Sequence, residues 1–170
     1  LIRRYRPDEI WADMGGPEPD FHGNQLIAEY YNQAETHNPE GVVVNDRFGD
    51  YRTHRDYSVI EIGGSYSLGD YTGGPSETVR TMGESWGFNR SEHDYAPVGT
   101  LVRELVNAVA NNSNYVLNIG PRADGTIPEP MVSRLKGIGD WLAINGEAIY
   151  GTRPWTHPGA GSVRCTAGAK

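Results

Sequence analysis

EIWADMGGP, residues 9–17, sets a carboxylate directly after a short apolar run and just ahead of two glycines. Two readings of it diverge. A strand that closes in a turn uses Asp and Gly because Asp tolerates unusual backbone angles and Gly supplies positive φ. Alternatively, Asp13 stands at the end of a buried strand with open space before it, where a carboxylate does chemistry. The choice turns on whether other strands end the same way.

They do. GVVVND (41–46) reads as a compact β-branched strand after the Pro39–Gly41 break, and it closes in Asn45 and Asp46 with Arg47 next. SVIEI (58–62) is a short strand carrying Glu61, SETVRTMG (76–83) a weaker one, and NYVLNIG (114–120) the last, carrying Asn118. Between them the period changes to that of a helix. NQLIAEYYNQAE (24–35) puts Leu26, Ile27, Tyr30, Tyr31 and Ala34 on one face, with Asn24 as N-cap. A helix after Pro97 gathers Leu101, Val102, Leu105, Val106 and Val109. MVSRLKGIGDWLAIN (131–145) gathers Met131, Leu135, Ile138 and Leu142 and ends at Gly146 as a C′ residue. This alternation predicts an α/β fold of parallel βα units.

Polar residues at the ends of several strands favour one α/β architecture. In a (β/α)8 barrel the catalytic groups come from the C-terminal ends of different strands. An open doubly wound sheet binds ligands there too, usually with a Gly-rich phosphate loop, and no G-x-G-x-x-G or P-loop occurs. A full barrel takes about 250 residues, whereas this chain has 170 and shows about five strands. The expectation is therefore a partial TIM-like barrel: residues 1–158 as its C-terminal part, with the first strands missing, and 159–170 as an unstructured tail of small and polar residues. LIRRYRPDEI opens without Met or a signal-peptide pattern and enters structured-looking sequence at once, as if cut from something longer. Its Arg3, Arg4 and Arg6 read as a solvated helix end.

Composition narrows the function. A net charge of −7 argues against a surface built to coat phosphates, so nucleic acid is not an expected partner. No apolar run approaches the roughly 20 residues that cross a bilayer, so no membrane partner is expected. The lone Cys165 excludes an intrachain disulfide and a Cys-based zinc site. The 5 histidines lack metal-ligand spacing such as H-E-x-x-H. Sequons at Asn89 and Asn111 matter only in a secreted protein, and the sequence assigns no compartment.

Asp13 and Glu61 are the two strand-borne carboxylates. Facing one barrel mouth, they would serve as nucleophile and general acid/base of a retaining glycosidase, which needs carboxyl groups about 5–5.5 Å apart. A cation such as Arg47 favours the ionised nucleophile, and burial or a like charge keeps the proton on the acid. Trp11, Phe48, Tyr57, Tyr66, Trp86 and Phe88 recur beside these positions; ring faces stack on the C–H surfaces of sugars, and they equally fill cores.

Taken together, the segments resemble the retaining α-L-fucosidases of glycoside hydrolase family 29, over about residues 1–155. YRPDEIWADMG is similar to the family's nucleophile segment with W-x-D-x-G, VVVNDRFG to V-N-D-R-W-G, and DYSVIE to D-Y-x-T-x-E. SETVRTMGESWGFN resembles W-E-T-x-x-T-x-x-x-S-W-G-Y-N, NYVLNIGPRADGTIP resembles N-L-L-L-N-I-G-P-x-x-D-G-x-I-P, and IGDWLAINGEAIYGTRPW tracks the closing helix. The resemblance implies Asp13 as nucleophile, Glu61 as acid/base, Arg47 against the sugar and nucleophile, and Trp11 and Trp86 lining the fucose pocket. It implies no metal or organic cofactor.

Ser76 departs from the pattern, standing where a Trp usually precedes the Glu of W-E-T, and NNSNYVLN replaces the usual Gly-Gly-Asn. The family's hydroxyl-binding His, Glu and Tyr of the first strands and its C-terminal β-sandwich have no counterpart here. The implied function is exo-acting hydrolysis of terminal α-L-fucose from glycans through a covalent fucosyl-enzyme, with a homo-oligomer or a complementing chain completing the site. The alternative is a non-catalytic fucose- or glycan-binding remnant or an inactive fragment.

Overall fold

The computed structural model describes residues 1–13, 22–38, 40–48, 56–63, 74–168 and, for the backbone alone, 66–68. The glycines after Asp13, Pro39 and the Tyr66 ring lie outside the described residues. The chain divides into two compact units, Leu1–Val59 and Ile60–Lys170.

In the first unit, helix α1 (Ile2–Tyr5) leads to strand β1 (Glu9–Ile10), helix α2 (Gly23–His37) and strand β2 (Val43–Val44). β1 and β2 pair in parallel, Glu9 opposite Val43 and Ile10 opposite Val44, so β1–α2–β2 is a βαβ unit as expected. Both strands are shorter than the runs 9–13 and 41–46 suggested. Past Val44 the main chain of Asn45 turns its pairing to Tyr57, which it bridges in parallel. Its side chain takes over the pairing with Ala12.

α2 buries Gly23, Ile27, Tyr30 and Ala34, which recur at helical spacing. Tyr30 and Ala34 pack with Val42 and Val44, flanked by Ile2, Ile10, Tyr31 and Phe48. Each fully buried side chain of Val size contributes about 1.5–3 kcal/mol. Leu26 stays 40% exposed, so the buried stripe is narrower than the sequence suggested. The N-cap is His22 in a left-handed conformation with no side-chain capping bond, and Asn24 lies inside the first turn. The helix starts one residue earlier, at Gly23, which is buried. The Tyr30 hydroxyl donates to the Pro7 carbonyl at 3.0 Å, and Asn38 donates to Asp8 at 2.8 Å, which ties the chain entering β1 to the end of α2.

The second unit centres on a four-stranded sheet in the order β4 (Tyr66–Leu68), β3 (Ser58–Gly63), β5 (Ser76–Thr81), β6 (Ser113–Asn118); the division between units falls inside β3. β4 is a correction to an all-parallel reading, since it returns antiparallel along β3 with Glu61 opposite Leu68. β5 and β6 run parallel in register from Ser76–Ser113 to Thr81–Asn118, joined through helix α3 (Val98–Ala110). β5, read as a weak strand, has nearly every residue buried.

One face of the β5–β6 pair is polar and covered. Thr78 and Ser113 share a hydrogen bond of 2.8 Å, and Arg80 donates to Glu104 of α3 at 2.8 Å. Tyr115 donates to the same Glu104 carboxylate at 3.0 Å. The hydroxyl of Ser76 is buried with no partner.

Met82, Leu101 and Met131 form this unit's core, with Leu117, Ile119, Ile127 and Ile138 around them. Met131 and Ile138 come from helix α4 (Glu129–Asn145), while Leu135, expected on the same face, is 37% exposed. Gly146 follows α4 in a right-handed conformation, not the left-handed one of a C′ glycine. A Cβ there would lie 2.9 Å from the exposed Tyr150 ring, which would have to shift to admit it. Strands β7 (Thr152–Ala160) and β8 (Val163–Gly168) close the chain as an antiparallel hairpin with an irregularity between Pro154 and Gly159. Residues 159–168 are therefore paired strand and turn, in contrast to the expected tail, and Arg164 donates to Asn107 of α3 at 2.6 Å.

Candidate active site

Asp13, Trp11 and Arg47 come together in the first unit. Arg47 follows β2 by a short turn and reaches back to the chain leaving β1. One Nη1 donates to the Asp13 carbonyl at 3.0 Å and lies 3.4 Å from its carboxylate Oδ1. The same guanidinium lies 5.5 Å from the centre of the Trp11 ring, over its face, where the ring's quadrupole attracts a cation.

Exposure differs sharply between the partners. The Arg47 side chain is 11% exposed and that of Asp13 79%. The positive charge is thus seated in the protein while the carboxylate opens outward. An ion pair with one solvated partner adds little to stability. Its consequence is positional: Asp13 is held by backbone and side chain to a single fixed cation.

The peptide before Asp13 is fixed independently. Asn45, fully buried, accepts from the Ala12 N–H at 3.0 Å and donates to the Ala12 carbonyl at 2.7 Å. Asp46, the next residue, accepts from the Val59 N–H at 3.1 Å. Asp56 accepts from both the Val44 N–H at 2.8 Å and the Tyr31 hydroxyl at 2.5 Å. Tyr57 bonds Glu9 through its hydroxyl. The run N-D-R after β2 thus gives three residues three tasks: fixing the Ala12 peptide, accepting from the chain that enters β3, and binding Asp13.

Glu61 and Trp86 belong to the second unit. Glu61 is the fourth residue of β3, half-buried and paired with β4, so it sits within the strand instead of at its last position. Trp86, 38% exposed, lies in the loop after β5. Asn118, the last residue of β6, donates to the Trp86 carbonyl at 2.6 Å. A Cβ on Gly120 would come within 2.7 Å of the Gly87 backbone, so glycine is required for the two loops to touch. Glu92 braces the same loop from behind, accepting from the N–H groups of Glu84 at 2.8 Å and Ser85 at 3.1 Å.

Sequence reading singled out Asn45 and Asn118 as polar strand ends without seeing that each holds a neighbouring segment by its backbone. Glu92 gave no signal at all, being a carboxylate in an irregular loop.

A sequence profile described as Alpha-L-fucosidase matches residues 1–147. The chain belongs to the α-L-fucosidase family. Human plasma alpha-L-fucosidase is 36% identical over 166 residues, covering 91% of this chain and 34% of the relative. Among solved structures, the Thermotoga maritima alpha-fucosidase in complex with fucose is 39% identical with a TM-score of 0.73, covering 92% of this chain and 34% of that one. The same enzyme in complex with a mechanism-based inhibitor gives 40% identity and a TM-score of 0.75 over 93% of this chain. The chain spans about a third of the length of the curated relatives it matches. These fucosidases are hydrolases of fucosides, and the chain's α/β class is the one the alternation of strands and helices predicted.

Proposed function

We propose that this chain carries the catalytic carboxylates of an exo-acting α-L-fucosidase that releases terminal α-L-fucose from glycans with retention of configuration. The observation that carries this reading is the Arg47–Asp13 contact beneath Trp11, at the point where the chain leaves a parallel strand. An outward-facing carboxylate anchored to a seated cation suits a nucleophile, which must meet the anomeric carbon in a set direction and form the covalent fucosyl-enzyme. Glu61 is assigned as the acid that protonates the leaving oxygen and then, as base, activates water. Trp11 and Trp86 supply apolar faces for the sugar, and Arg47 a donor against it. The relatives' capture with fucose and with a mechanism-based inhibitor supports this substrate.

The architecture assigned is part of a (β/α)8 barrel, supported by the parallel β1–α2–β2 and β5–α3–β6 units. β6 ends the order of its sheet with Val116 41% exposed, and a second copy or further barrel strands are assigned to cover that side. Self-association is read by light scattering at micromolar concentration, where a clean monomer argues for the second source.

The deciding experiment is hydrolysis of an aryl α-L-fucoside by the chain, with Asp13→Ala in parallel. Turnover that disappears in the variant supports the assignment. A folded chain that binds L-fucose without turnover, in both forms, is a binding module instead.

A further inference from the structure

The Asn-x-Ser runs at Asn89 and Asn111 fit the pattern of an N-glycan acceptor, and the reaction described above uses neither. Both belong to the second unit, and the fold treats them in opposite ways.

Asn89, Arg90 and Ser91, in the loop after β5, are all exposed. Asn89 Oδ1 accepts from the Ser91 N–H at 3.0 Å, and the Asn89 carbonyl accepts from the Glu92 N–H at 3.2 Å. This turn brings Ser91 back beside the Asn89 amide, the two groups a glycosyltransferase must engage together. Asn89 Nδ2 donates only to the Ser85 hydroxyl, at 3.0 Å, in an exposed bond that water replaces at little cost. Beside it the loop borders a cavity of about 590 Å3, ample room for a first sugar ring.

Asn111 is held differently at each of its three positions. It caps the C-terminus of α3, where its Nδ2 donates back to the Asn107 carbonyl at 2.8 Å. Asn107 Oδ1 in turn accepts from Arg164 of β8, so the amide points toward a residue that the terminal hairpin already engages. Asn112 is left-handed, with φ 60°, and its carbonyl accepts from the Ser76 N–H at 3.1 Å. Ser113 is 6% exposed, and its hydroxyl shares a 2.8 Å bond with Thr78. As the first residue of β6 it pairs with Ser76, so reaching its hydroxyl means opening the β5–β6 pair.

We propose that Asn89 is an N-glycosylation acceptor and that the fold excludes Asn111 from that role. The donor is a polyprenyl-diphosphate-linked oligosaccharide. A bond forms from Asn89 Nδ2 to the anomeric carbon, the bond from that carbon to the diphosphate oxygen breaks, and Nδ2 gives up one proton to the medium. Transfer to a chain still entering a secretory compartment precedes folding, so the fold acts as a filter afterwards. A sugar on Asn89 projects from an exposed turn. One on Asn111 opposes the seating of the hairpin on α3, and the chain that carries it is retained.

The test is secretion of the full chain from a eukaryotic host behind a cleavable leader. The product is denatured and its glycans are released enzymatically in heavy-oxygen water, which leaves each formerly occupied Asn as a labelled Asp for mass spectrometry. Chain retained in the cells is treated in the same way, so Asn89 is scored even where little is secreted. Ser91→Ala removes the hydroxyl and keeps the N–H that holds the turn, so it separates the acceptor pattern from the shape of the loop. Occupancy in the secreted parent is expected to be at least tenfold higher at Asn89 than at Asn111, and to fall at least tenfold at Asn89 in Ser91→Ala. Asn89→Gln is expected to be secreted without sugar. An unmodified Asn89 in the parent, equal occupancy of Asn111 in the secreted chain, or sugar kept at Asn89 in Ser91→Ala overturns the proposal.

Discussion

The side-chain amide of Asn45 makes both main-chain hydrogen bonds of Ala12, accepting at 3.0 Å and donating at 2.7 Å. Meanwhile the backbone of Asn45 bridges Tyr57. One residue therefore joins two neighbouring segments, continuing β1 past its last paired residue by means of a side chain. Of the side chains near this size, only an amide offers a donor and an acceptor on one rigid plane. The Ala12–Asp13 peptide takes its position from that plane.

Replacing Asn45 with alanine removes the partner of the half-buried Ala12 N–H and C=O, a loss of about 1–3 kcal/mol. Asn45→Asp keeps an acceptor for the N–H but sets a carboxylate against the Ala12 carbonyl, so it is expected to be at least as damaging. Urea denaturation of the parent and both variants measures this. An Asn45→Ala midpoint equal to that of the parent would show that the clip is idle.

Arg47→Lys keeps the positive charge and loses the planar fork that lies over Trp11 while bonding Asp13. The expectation is a fall of roughly 100-fold in kcat/KM on an aryl fucoside, the scale set by a misplaced reacting group. Stability should change by less than about 1 kcal/mol, because the Asp13 side of the pair is solvated. A lysine variant with the parent's rate would mean that Asp13 is aimed by its backbone alone.

What was legible in the sequence follows from range of interaction. The spans of β3, α3 and β6 could be read closely because hydrophobic period is a local property, although Val116 of β6 stays 41% exposed. The start of α2 was misjudged because His22, in a left-handed conformation, caps without a side-chain bond, leaving Asn24 as the conspicuous but wrong choice. β4 has only three paired residues, and the β7–β8 hairpin draws on THPGAGSVRC, whose small and polar residues carry no alternation. At the site the residue types were visible and the pairings were not. Asn45 with Ala12 and Asn118 with Trp86, 33 and 32 residues apart, join segments that no short window contains.

Arg80 and Glu104 form the most enclosed ion pair among the described residues, 2.8 Å apart with side chains 6% and 21% exposed. Tyr115 shares the carboxylate, and Arg80 Nη1 is already buried without a partner. Glu104→Ala would strand the guanidinium, with an expected cost of about 3 kcal/mol. Exchanging both partners for apolar residues, Arg80→Met with Glu104→Leu, should recover most of that loss. Thermal melts of the single and double variants decide it: a double variant as unstable as Glu104→Ala would mean that the pair specifies the α3–sheet packing.

Tyr30 and Tyr31 predict a loss of stability on the alkaline side. Burial foremost, then the charges of Asp8, Glu9 and Asp56, raises the Tyr30 phenol to about 12. Burial, with the hydrogen bond to Asp56 next, raises Tyr31 further. In the unfolded chain a tyrosine gives up its proton near pH 10. Between that value and about 12 the folded state binds more protons than the unfolded one, so stability falls as pH rises. Below about pH 10 the contribution is fully present. Melting temperatures should therefore drop steeply above about pH 10, and Tyr30 and Tyr31 should form tyrosinate only above that pH. Tyr31→Phe removes the phenol bonded to Asp56 and should flatten the alkaline slope. A slope unchanged in that variant would assign the alkaline loss to groups elsewhere in the chain.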